Sequence, residues 1–416
     1  MIAEVLATGD EIRSGALVDS NSAYIARELE AAGVEVLRHN SVGDDPESIV
    51  SILQEIACRA DIAVVTGGLG PTDDDLTTAA AARAAGVELV LDPRALDSVE
   101  EFFKARQLPL TPINKKQALL PASAQCLMNP IGTAPGFQLK IEGCEIFFLP
   151  GVPFEMRQML TAEVLPRLIQ LQGRARSVRL VKTLSTFGLT ESATAEHLDG
   201  FEERFPHIKL GFRAKFPEIH VKLYGSGLDA NELRTKLAKA EDWVAQQLGS
   251  KIFSNTGESL EQAVGNLLRA RNQTLAVAES CTGGLIADLL TEVPGSSDYF
   301  KLSVVTYANS AKINILGVAA GTLDIHGAVS EETAQEMAQG AQRISGATYG
   351  LATSGIAGPG GATDGKPVGT VCIGLATPDF VNGRRYHFTF GNRRMNKRMF
   401  AAVALNMLRR ELTKLL

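Results

Sequence analysis

Ser280 lies in the sequence AESCTGG at residues 278–284, directly after an apolar segment that is typical of a buried strand. A serine hydroxyl at such a position can attack a carbonyl carbon if a neighbouring base accepts its proton. Gly283 and Gly284 would let backbone N–H groups approach a developing oxyanion at the start of the helix predicted to follow. The alternative is that Ser280 or Thr282 only caps this helix. A base at the same edge of the sheet would favour the nucleophile.

Lys312 is the residue that we predict to be this base. It follows the predicted strand FKLSVVTYAN, whose end should lie at the same sheet edge as Ser280, and a desolvated lysine has a lowered pKa. Tyr307, near the end of that strand, can donate a hydrogen bond. The alternatives are that Lys312 begins a solvated helix, that His326 is the base or a structural residue, or that Cys281 is the nucleophile. Cys281 is the weaker candidate because it should lie one residue into the helix.

Two further segments of the same region can bind an anion. The loop SGIAGPGG at 354–361 follows an apolar strand, and its backbone donors suit a phosphate or a second oxyanion contact. Arg393 and Arg394 precede the last predicted helix and can neutralise a phosphate. Together with Lys397 and Arg398, they can equally form an ordinary basic surface.

Three glycine-bearing turns follow apolar strands in the first part of the chain: TGDEIRSG at 8–15, TGGLGPTDDD at 66–75 and LPGVP at 149–153. Ligands bind at the carboxyl ends of the strands in a doubly wound sheet. The aspartate run at 73–75 can hold a divalent cation that bridges to phosphate oxygens, or it can simply cap the helix that follows. The three turns together predict a ligand site at this sheet edge.

The elements that must position these turns alternate between strand and helix, which indicates a parallel sheet with helices on both faces. The predicted helices include 20–32, capped by Ser20 or Asn21, and also 74–85 and 153–172.

Changes in the order of predicted strands and helices along the chain predict an α/β, multidomain fold with domains at 1–170, 171–252 and 253–416. The segment GRARS at 173–177 reads as a linker. The middle region has alternating strands and two helices, which is typical of a small α+β module with one solvated sheet face. The last region returns to alternating strands and helices, one of them capped by Ser330.

The composition indicates an ordinary soluble protein. Its 416 residues are 45% hydrophobic and carry a net charge of −6, without the basic surplus that is usual in nucleic-acid binders. The five cysteines show no C-x-x-C spacing, which fits a reducing compartment. Without a signal-peptide pattern or an apolar run of roughly 20 residues, we predict a cytoplasmic protein that binds neither nucleic acid nor membrane.

The first region resembles a known fold in its motifs. TGDEI, D-S-N at 19–21 and TGGLGPTDDD are similar to the molybdopterin-binding fold of the MoaB/MogA type, and LPGVPFEM is similar to its version in the CinA family. The resemblance implies a three-layer α/β domain that binds a nucleotide- or pterin-like ligand, with divalent-metal-dependent ADP-ribose pyrophosphatase activity. A binding domain without catalysis is the alternative. The implied nucleotide contacts are Gly9, Asp10, Glu11, Asn21, Thr66, Gly67, Gly68, Gly70, Thr72, Pro150 and Gly151, and the implied metal ligands are Asp19, Asp74 and Asp75.

The last region resembles the carboxy-terminal domain of the CinA family in AESCTGG, VTYAN-x-x-K, HGAVS, SGIAGPGG and KPVGTV. That domain is the nicotinamide-nucleotide amidase, which converts nicotinamide mononucleotide to nicotinic acid mononucleotide and ammonia and needs no cofactor. The resemblance implies Ser280 as nucleophile, assisted by Lys312 and Tyr307. The implied substrate contacts are Thr282, Gly283, Gly284, Gly355, Ala357, Gly358 and Arg393.

The middle region resembles the KH-like connector of full-length CinA proteins in element order. Residues 212–217 read FRAKFP instead of a GXXG loop, so we do not expect RNA binding. We expect a homodimer whose ligands are the small nucleotides nicotinamide mononucleotide and ADP-ribose. The alternative function is a non-catalytic nucleotide- or partner-binding protein related to competence or damage response.

Overall fold

The structure is a computed structural model that describes residues 1–172 and 178–414, so the predicted linker at 173–177 lies outside the described residues. The chain forms two compact units. Unit 1 comprises Met1–Leu180 and Ser226–Arg234, and unit 2 comprises Val181–Gly225 and Thr235–Leu416. None of the helices in the described ranges is long and apolar enough to cross a membrane.

Strands and helices alternate through residues 1–172, with a π-helical turn at Leu160–Val164 joining the last two helices. The strands are β1 (Ile2–Thr8), β2 (Glu35–Val42), β3 (Ile62–Thr66), β4 (Leu89–Leu91), β5 (Leu119–Pro121), β6 (Gln125–Leu127), β7 (Gly136–Ile141) and β8 (Cys144–Leu149). The helices are α1 (Asp10–Arg13), α2 (Ser20–Ala31), α3 (Pro46–Ala57), α4 (Thr77–Ala85), α5 (Pro93–Ala105), α6 (Pro112–Lys115), α7 (Pro153–Met159) and α8 (Leu165–Gln172).

The main sheet of unit 1 has the order β2-β1-β3-β8-β7-β6. Its first four strands are parallel, whereas β7 and β6 are antiparallel. The expectation of a wholly parallel sheet was therefore wrong at one edge. Helices cover both faces, because successive residues of a strand point to opposite sides: Val5 belongs to one apolar cluster and Leu6 to the other.

Two predicted helix starts in this unit were also wrong. Asp19 caps α2, accepting a hydrogen bond from the N–H of Ser22 at 2.8 Å, instead of Ser20 or Asn21. The predicted 74–85 helix begins at Thr77 without a side-chain cap.

Residues 178–414 form two further sheets with their helices. The strands are β9 (Val178–Phe187), β10 (Ile208–Lys215), β11 (Glu218–Gly227), β12 (Ile252–Ser254), β13 (Leu275–Glu279), β14 (Phe300–Val305), β15 (Tyr349–Gly355), β16 (Thr370–Ala376) and β17 (Val381–His387). The helices are α9 (Glu191–His197), α10 (Phe201–Arg204), α11 (Ala230–Leu248), α12 (Leu260–Ala270), α13 (Leu285–Thr291), α14 (Asn309–Leu316), α15 (Ala320–His326), α16 (Glu331–Ser345) and α17 (Arg393–Lys414).

The five-stranded sheet of this region has the order β14-β13-β15-β16-β17. The first three strands are parallel and the last two antiparallel. A four-stranded sheet, β10-β11-β9-β12, forms the middle module, in which FRAKFP lies where β10 turns back into β11. Ser330 caps α16 as predicted, by accepting from the N–H of Thr333.

Candidate functional site

The carboxyl ends of β13, β14 and β15 lie side by side. Glu279, the last residue of β13, pairs with Val305 of β14 and with Thr353 of β15. β13 and β15 are buried, as is usual for the inner strands of a parallel sheet, whereas β14 is a partly exposed edge strand. The register places Ser280, the first residue after β13, at the edge where ligands bind in α/β folds.

Ser280 and Lys312 are in direct contact. The Nζ of Lys312 lies 3.2 Å from the Oγ of Ser280, although the two residues are 32 positions apart in sequence. Lys312 is only 1% exposed, so it does not begin a solvated helix. α14 turns its first-turn lysine inward, and burial lowers the pKa of the Lys312 ammonium because the charged form loses its hydration.

The surroundings of Lys312 orient its amine. Its Nζ also donates to the carbonyl oxygens of Thr306, at 2.9 Å, and Tyr307, at 3.2 Å. A neutral amine has two N–H donors and one lone pair. When the two donors bind these carbonyls, the lone pair faces the Ser280 hydroxyl. The geometry therefore suits a base that accepts the serine proton.

Glu279 holds the turn that follows Ser280. Its carboxylate is fully buried and accepts three backbone N–H groups, from Gly284 at 2.9 Å, Ile286 at 3.1 Å and Ala287 at 3.0 Å. Gly284 has φ +91°, a left-handed conformation that glycine adopts without strain. Our prediction that the helix follows Ser280 directly was wrong: Cys281–Gly284 form a turn, and α13 begins at Leu285.

The hydrogen bonds of the 281–284 turn show which of its backbone N–H groups are free to bind an oxyanion. The N–H of Gly284 is already bound to Glu279. Within the described part of the chain, the N–H groups of Thr282 and Gly283 have no hydrogen-bond acceptor. Thr282 is fully buried and its hydroxyl lies 2.7 Å from that of Thr353, so its side chain is not available to a ligand.

Tyr307 lies two residues beyond the end of β14, which is shorter than the predicted strand. Its side chain is 63% exposed, and its hydroxyl accepts from Nη2 of Arg393 at 3.3 Å. Its backbone carbonyl, not its hydroxyl, contacts Lys312.

Arg393 joins the glycine-rich loop to the mouth of the site. Its Nη1 donates to the carbonyl of Gly358 at 2.6 Å. Nearby, Asn396 binds the carbonyl of Ala357 at 3.0 Å, and a Cβ built on Gly355 would lie 3.2 Å from the Sγ of Cys281. The loop, the turn and the start of α17 therefore enclose one site.

Lys397 is a cation that the sequence left among possible surface residues. A Cβ built on Gly283 would lie 3.4 Å from its Nζ, so Lys397 reaches the same turn. Its helical spacing of four from Arg393 is the signal that would have placed both cations on one face of α17.

The two alternative residues, Cys281 as nucleophile and His326 as base, are in environments that do not suit these roles. Cys281 is 5% exposed within the apolar core, and burial raises the pKa of its thiol to about 12, so it is protonated at neutral pH. His326 faces Glu332, with Nδ1 3.6 Å from a carboxylate oxygen. Neither arrangement suits a nucleophile or a base for this site.

A second cleft, with a volume of about 450 Å³, lies at the carboxyl ends of β1, β3 and β8. Asn21 links its turns, donating from Nδ2 to Oγ1 of Thr66 at 3.2 Å and to the carbonyl of Gly151 at 2.7 Å. Gly67 has φ +111°, and a Cβ there would lie 2.5 Å from the carbonyl oxygen of Thr8. Only glycine fits where two turns approach so closely.

Most of the predicted nucleotide and metal residues line this cleft, and two do not. Asp10 binds Arg13, and Thr72 binds Asp75. The lining residues are Gly9, Glu11, Asp19, Asn21, Thr66, Gly67, Gly68, Gly70, Asp74, Asp75, Pro150 and Gly151. Sequence reasoning missed Asp44, Gln117, Thr133 and Glu155, which also line it.

The cleft is acidic. Burial raises the pKa of Asp44, and the negative charges of Asp10, Glu11 and Asp74 raise it further. In the ranges that the structure covers, no three His, Cys, Asp or Glu side chains are grouped to hold a metal ion by themselves. The predicted ligand Asp19 caps α2 through one carboxylate oxygen, and the metal site at Asp19, Asp74 and Asp75 stays a prediction.

Three family models match the chain. The probable molybdopterin binding domain covers residues 4–170, the damage-inducible protein CinA KH domain covers 181–254, and the CinA C-terminal domain covers 257–412. The fold and the sites thus define a multidomain α/β protein with a molybdopterin-binding-like first domain, a KH-like module and a CinA C-terminal domain. The predicted fold class is confirmed.

Full-length relatives extend this match. A CinA-like protein of Desulfosudis oleivorans is 55% identical over 412 residues, which cover 99% of this chain and 100% of the relative. A CinA-like protein of Desulforapulum autotrophicum is 48% identical over 98% of both chains. The crystal structure of a CinA superfamily protein from Klebsiella pneumoniae is 37% identical, with a TM-score of 0.36, and covers 37% of this chain and 96% of that chain. The chain belongs to the CinA family.

Proposed function

We propose that the carboxy-terminal domain hydrolyses the carboxamide of nicotinamide mononucleotide, giving nicotinic acid mononucleotide and ammonia. The observation that carries the proposal is the contact between Ser280 and a buried Lys312, at 3.2 Å. A hydroxyl paired with a desolvated amine is an arrangement for nucleophilic catalysis.

In the proposed reaction, the Oγ of Ser280 attacks the carboxamide carbon while Nζ of Lys312 takes the hydroxyl proton. The free N–H groups of Thr282 and Gly283 suit the oxyanion of the tetrahedral intermediate. Lys312 then returns the proton to the departing nitrogen, and ammonia leaves behind a serine ester. Water, deprotonated by Lys312, attacks that ester and releases the carboxylate and the serine. No cofactor enters this sequence.

Two cations at the mouth of the site suit the substrate phosphate. Arg393 lies at the glycine-rich loop and Lys397 at the 281–284 turn. A guanidinium can bind a phosphate through two parallel N–H groups, and an ammonium adds a point charge. This requirement favours a nucleotide over free nicotinamide.

The test is ammonia release from nicotinamide mononucleotide by the full chain. Ser280→Ala should abolish release, whereas Cys281→Ala should retain it, because the buried thiol takes no part. Circular dichroism would verify that both variants fold. Absence of release by the wild type, or undiminished release by Ser280→Ala, would leave the alternative of a non-catalytic partner-binding protein.

We also propose that the acidic cleft of unit 1 cleaves ADP-ribose to AMP and ribose phosphate. Six carboxylates line the cleft, among them Glu11, Asp44 and Asp74. They would repel a free diphosphate, so the ligand must arrive with a cation. Mg²⁺ is typically bound by one or two carboxylates together with substrate phosphates, and its chemistry here is neutralisation of the diphosphate charge.

Asp74→Asn tests this second activity. Asp74 lines the cleft, whereas its exposed neighbour Asp73 does not, so Asp73→Asn makes the same charge change outside the site. AMP formation from ADP-ribose with Mg²⁺ or Mn²⁺ should fall at least tenfold in Asp74→Asn and should not fall in Asp73→Asn. No turnover by the wild type with either metal would indicate a cleft that only binds its ligand.

A further inference from the structure

A third cleft lies in unit 2, beside β17, the last strand of the five-stranded sheet. It has a volume of about 480 Å³, within the range of small-molecule sites. One face of α17, the strand β17 and the turn after β9 enclose it, and we call it the α17 cleft. Its floor is apolar and buried, with Leu375 at 2% and Val403 at 8% exposure.

Aromatic rings form one wall of the α17 cleft. Tyr386 and Phe388 stack with ring centroids 6.4 Å apart and an interplanar angle of 11°. Phe390 extends this row of rings, with its centroid 6.3 Å from that of Phe388 and an angle of 16°, but it is not one of the residues that line the cleft. Such parallel rings on one strand face offer a flat apolar surface to a planar ligand.

The charges around the α17 cleft are unbalanced. Arg384, Arg410 and Lys414 line it, with Glu411 as the carboxylate among its lining residues. Glu411 is already paired with Lys414 at 2.9 Å. No ion pair within residues 1–172 and 178–414 involves Arg384 or Arg410, so two guanidinium groups face the cleft without a counter-ion.

The buried Arg409, next to Arg410 in sequence, adds to the excess of positive charge beside the cleft. Arg409 is 6% exposed, and its guanidinium donates to Oδ1 of Asn406 and the carbonyl of Ser250, both neutral. Burial lowers the pKa of Arg409, and the positive charge of Arg410 lowers it further. A negative charge placed in the cleft would relieve this repulsion.

We propose that the α17 cleft is a binding site for a planar aromatic anion, separate from both catalytic sites. The stacked rings take the flat apolar body, and Arg384 and Arg410 pair with the acidic group. Each element of the match is on the cleft wall itself, so the proposal does not depend on the two proposed activities.

A pair of fluorescent probes tests the proposal. Anilinonaphthalene sulfonate carries a sulfonate on a planar naphthalene ring, and N-phenyl-naphthylamine has the same two aromatic groups without the sulfonate. Titrated into the full chain, the sulfonate should saturate at one site per chain and bind at least tenfold more tightly than the neutral probe. Added salt should reduce the difference, because it screens the ion pairs.

Charge reversal locates the site. Arg384→Glu combined with Arg410→Glu should remove the preference for the sulfonate, whereas Arg398→Glu, which changes an exposed cation on α17 outside the cleft, should leave it unchanged. Met407→Trp, which fills the cleft, should weaken both probes. Circular dichroism checks that each variant folds. The double arginine variant changes two exposed residues and alters no contact of the apolar core.

Equal affinity for both probes, or unchanged sulfonate binding in the double variant, would overturn the proposal. So would a failure of both probes to bind at concentrations where sedimentation shows a dimer, because a second copy of the chain would then occupy the cleft.

Discussion

Lys312 is a buried amine surrounded by carbonyl and hydroxyl oxygens. Within the described residues, no carboxylate forms an ion pair with it. A salt bridge would have stabilised the ammonium and raised its pKa, which would suit a structural role. Neutral acceptors satisfy its N–H groups and leave its charge uncompensated. The environment therefore favours the deprotonated form that a base requires.

Replacement of Lys312 should affect activity and stability in opposite directions. Lys312→Met should reduce ammonia release by at least a hundredfold, because Lys312 is the one group of the described residues that is hydrogen-bonded to the Ser280 hydroxyl. At neutral pH it should raise the melting temperature, because burial of the ammonium destabilises the folded state. One unit of pKa lowering corresponds to about 1.4 kcal/mol.

The sign of the pH dependence follows from the direction of the shift. The folded-state pKa of Lys312 lies below its unfolded value, so the penalty is complete below both values. It fades as pH rises through the folded-state pKa and vanishes above the unfolded value. The stability gain of Lys312→Met should therefore shrink toward about pH 10. Thermal unfolding across this range measures it. A gain independent of pH would contradict a buried, titrating lysine.

At the scale of elements, the 281–284 turn depends on one carboxylate. Glu279 accepts three N–H groups and thereby fixes where Thr282 and Gly283 direct theirs. A glutamine has the same shape but a single acceptor oxygen, and its amide would face an N–H group. Glu279 is therefore a positioning residue.

Glu279→Gln should lower kcat at least tenfold with little change in KM, because the phosphate contacts lie elsewhere. The loss of buried hydrogen bonds should lower the free energy of unfolding by about 1–3 kcal/mol. The exposed Glu292, just after α13, supplies the matched control, and Glu292→Gln should change neither quantity. Steady-state kinetics and urea unfolding give both measurements. An equal fall of activity in both variants would argue against positioning.

The sequence predicted elements that local patterns determine and missed those that depend on distant residues. Apolar runs and glycines placed β13 and its strand end, and the strand that precedes Lys312 placed this lysine at the same sheet edge. The start of α13 was wrong because Glu279 binds N–H groups at 284, 286 and 287, which holds a turn where the pattern reads as helix. The antiparallel pairing of β7 with β8 was missed although it is local: Glu142 and Gly143 join the two strands in a two-residue hairpin turn.

The α17 cleft illustrates the same limit for sites. Its walls come from four separate segments, and none carries a motif. Arg384 and Arg410 look like ordinary surface cations in sequence. Only the fold shows that they line the same cavity as a stack of aromatic rings.

At the scale of the whole molecule, the two proposed activities belong to different compact units. Asp74 lies in unit 1 and Ser280 in unit 2. Substitutions at distant sites without shared partners are usually additive. Ser280→Ala should therefore retain AMP formation from ADP-ribose within about twofold, and Asp74→Asn should retain ammonia release to the same extent. Loss of both activities in either variant would indicate that the units are coupled.

α17 carries residues of two different sites along 22 residues, a length of about 33 Å. Its first turn holds Arg393 at the amidase mouth, and its later turns line the α17 cleft. One inserted residue in between would rotate every later side chain by about 100°, turning the cleft-lining face away and exposing core residues such as Leu408. Its middle should therefore tolerate substitution at exposed positions but neither insertion nor deletion, so the number of residues between the two sites is itself under constraint.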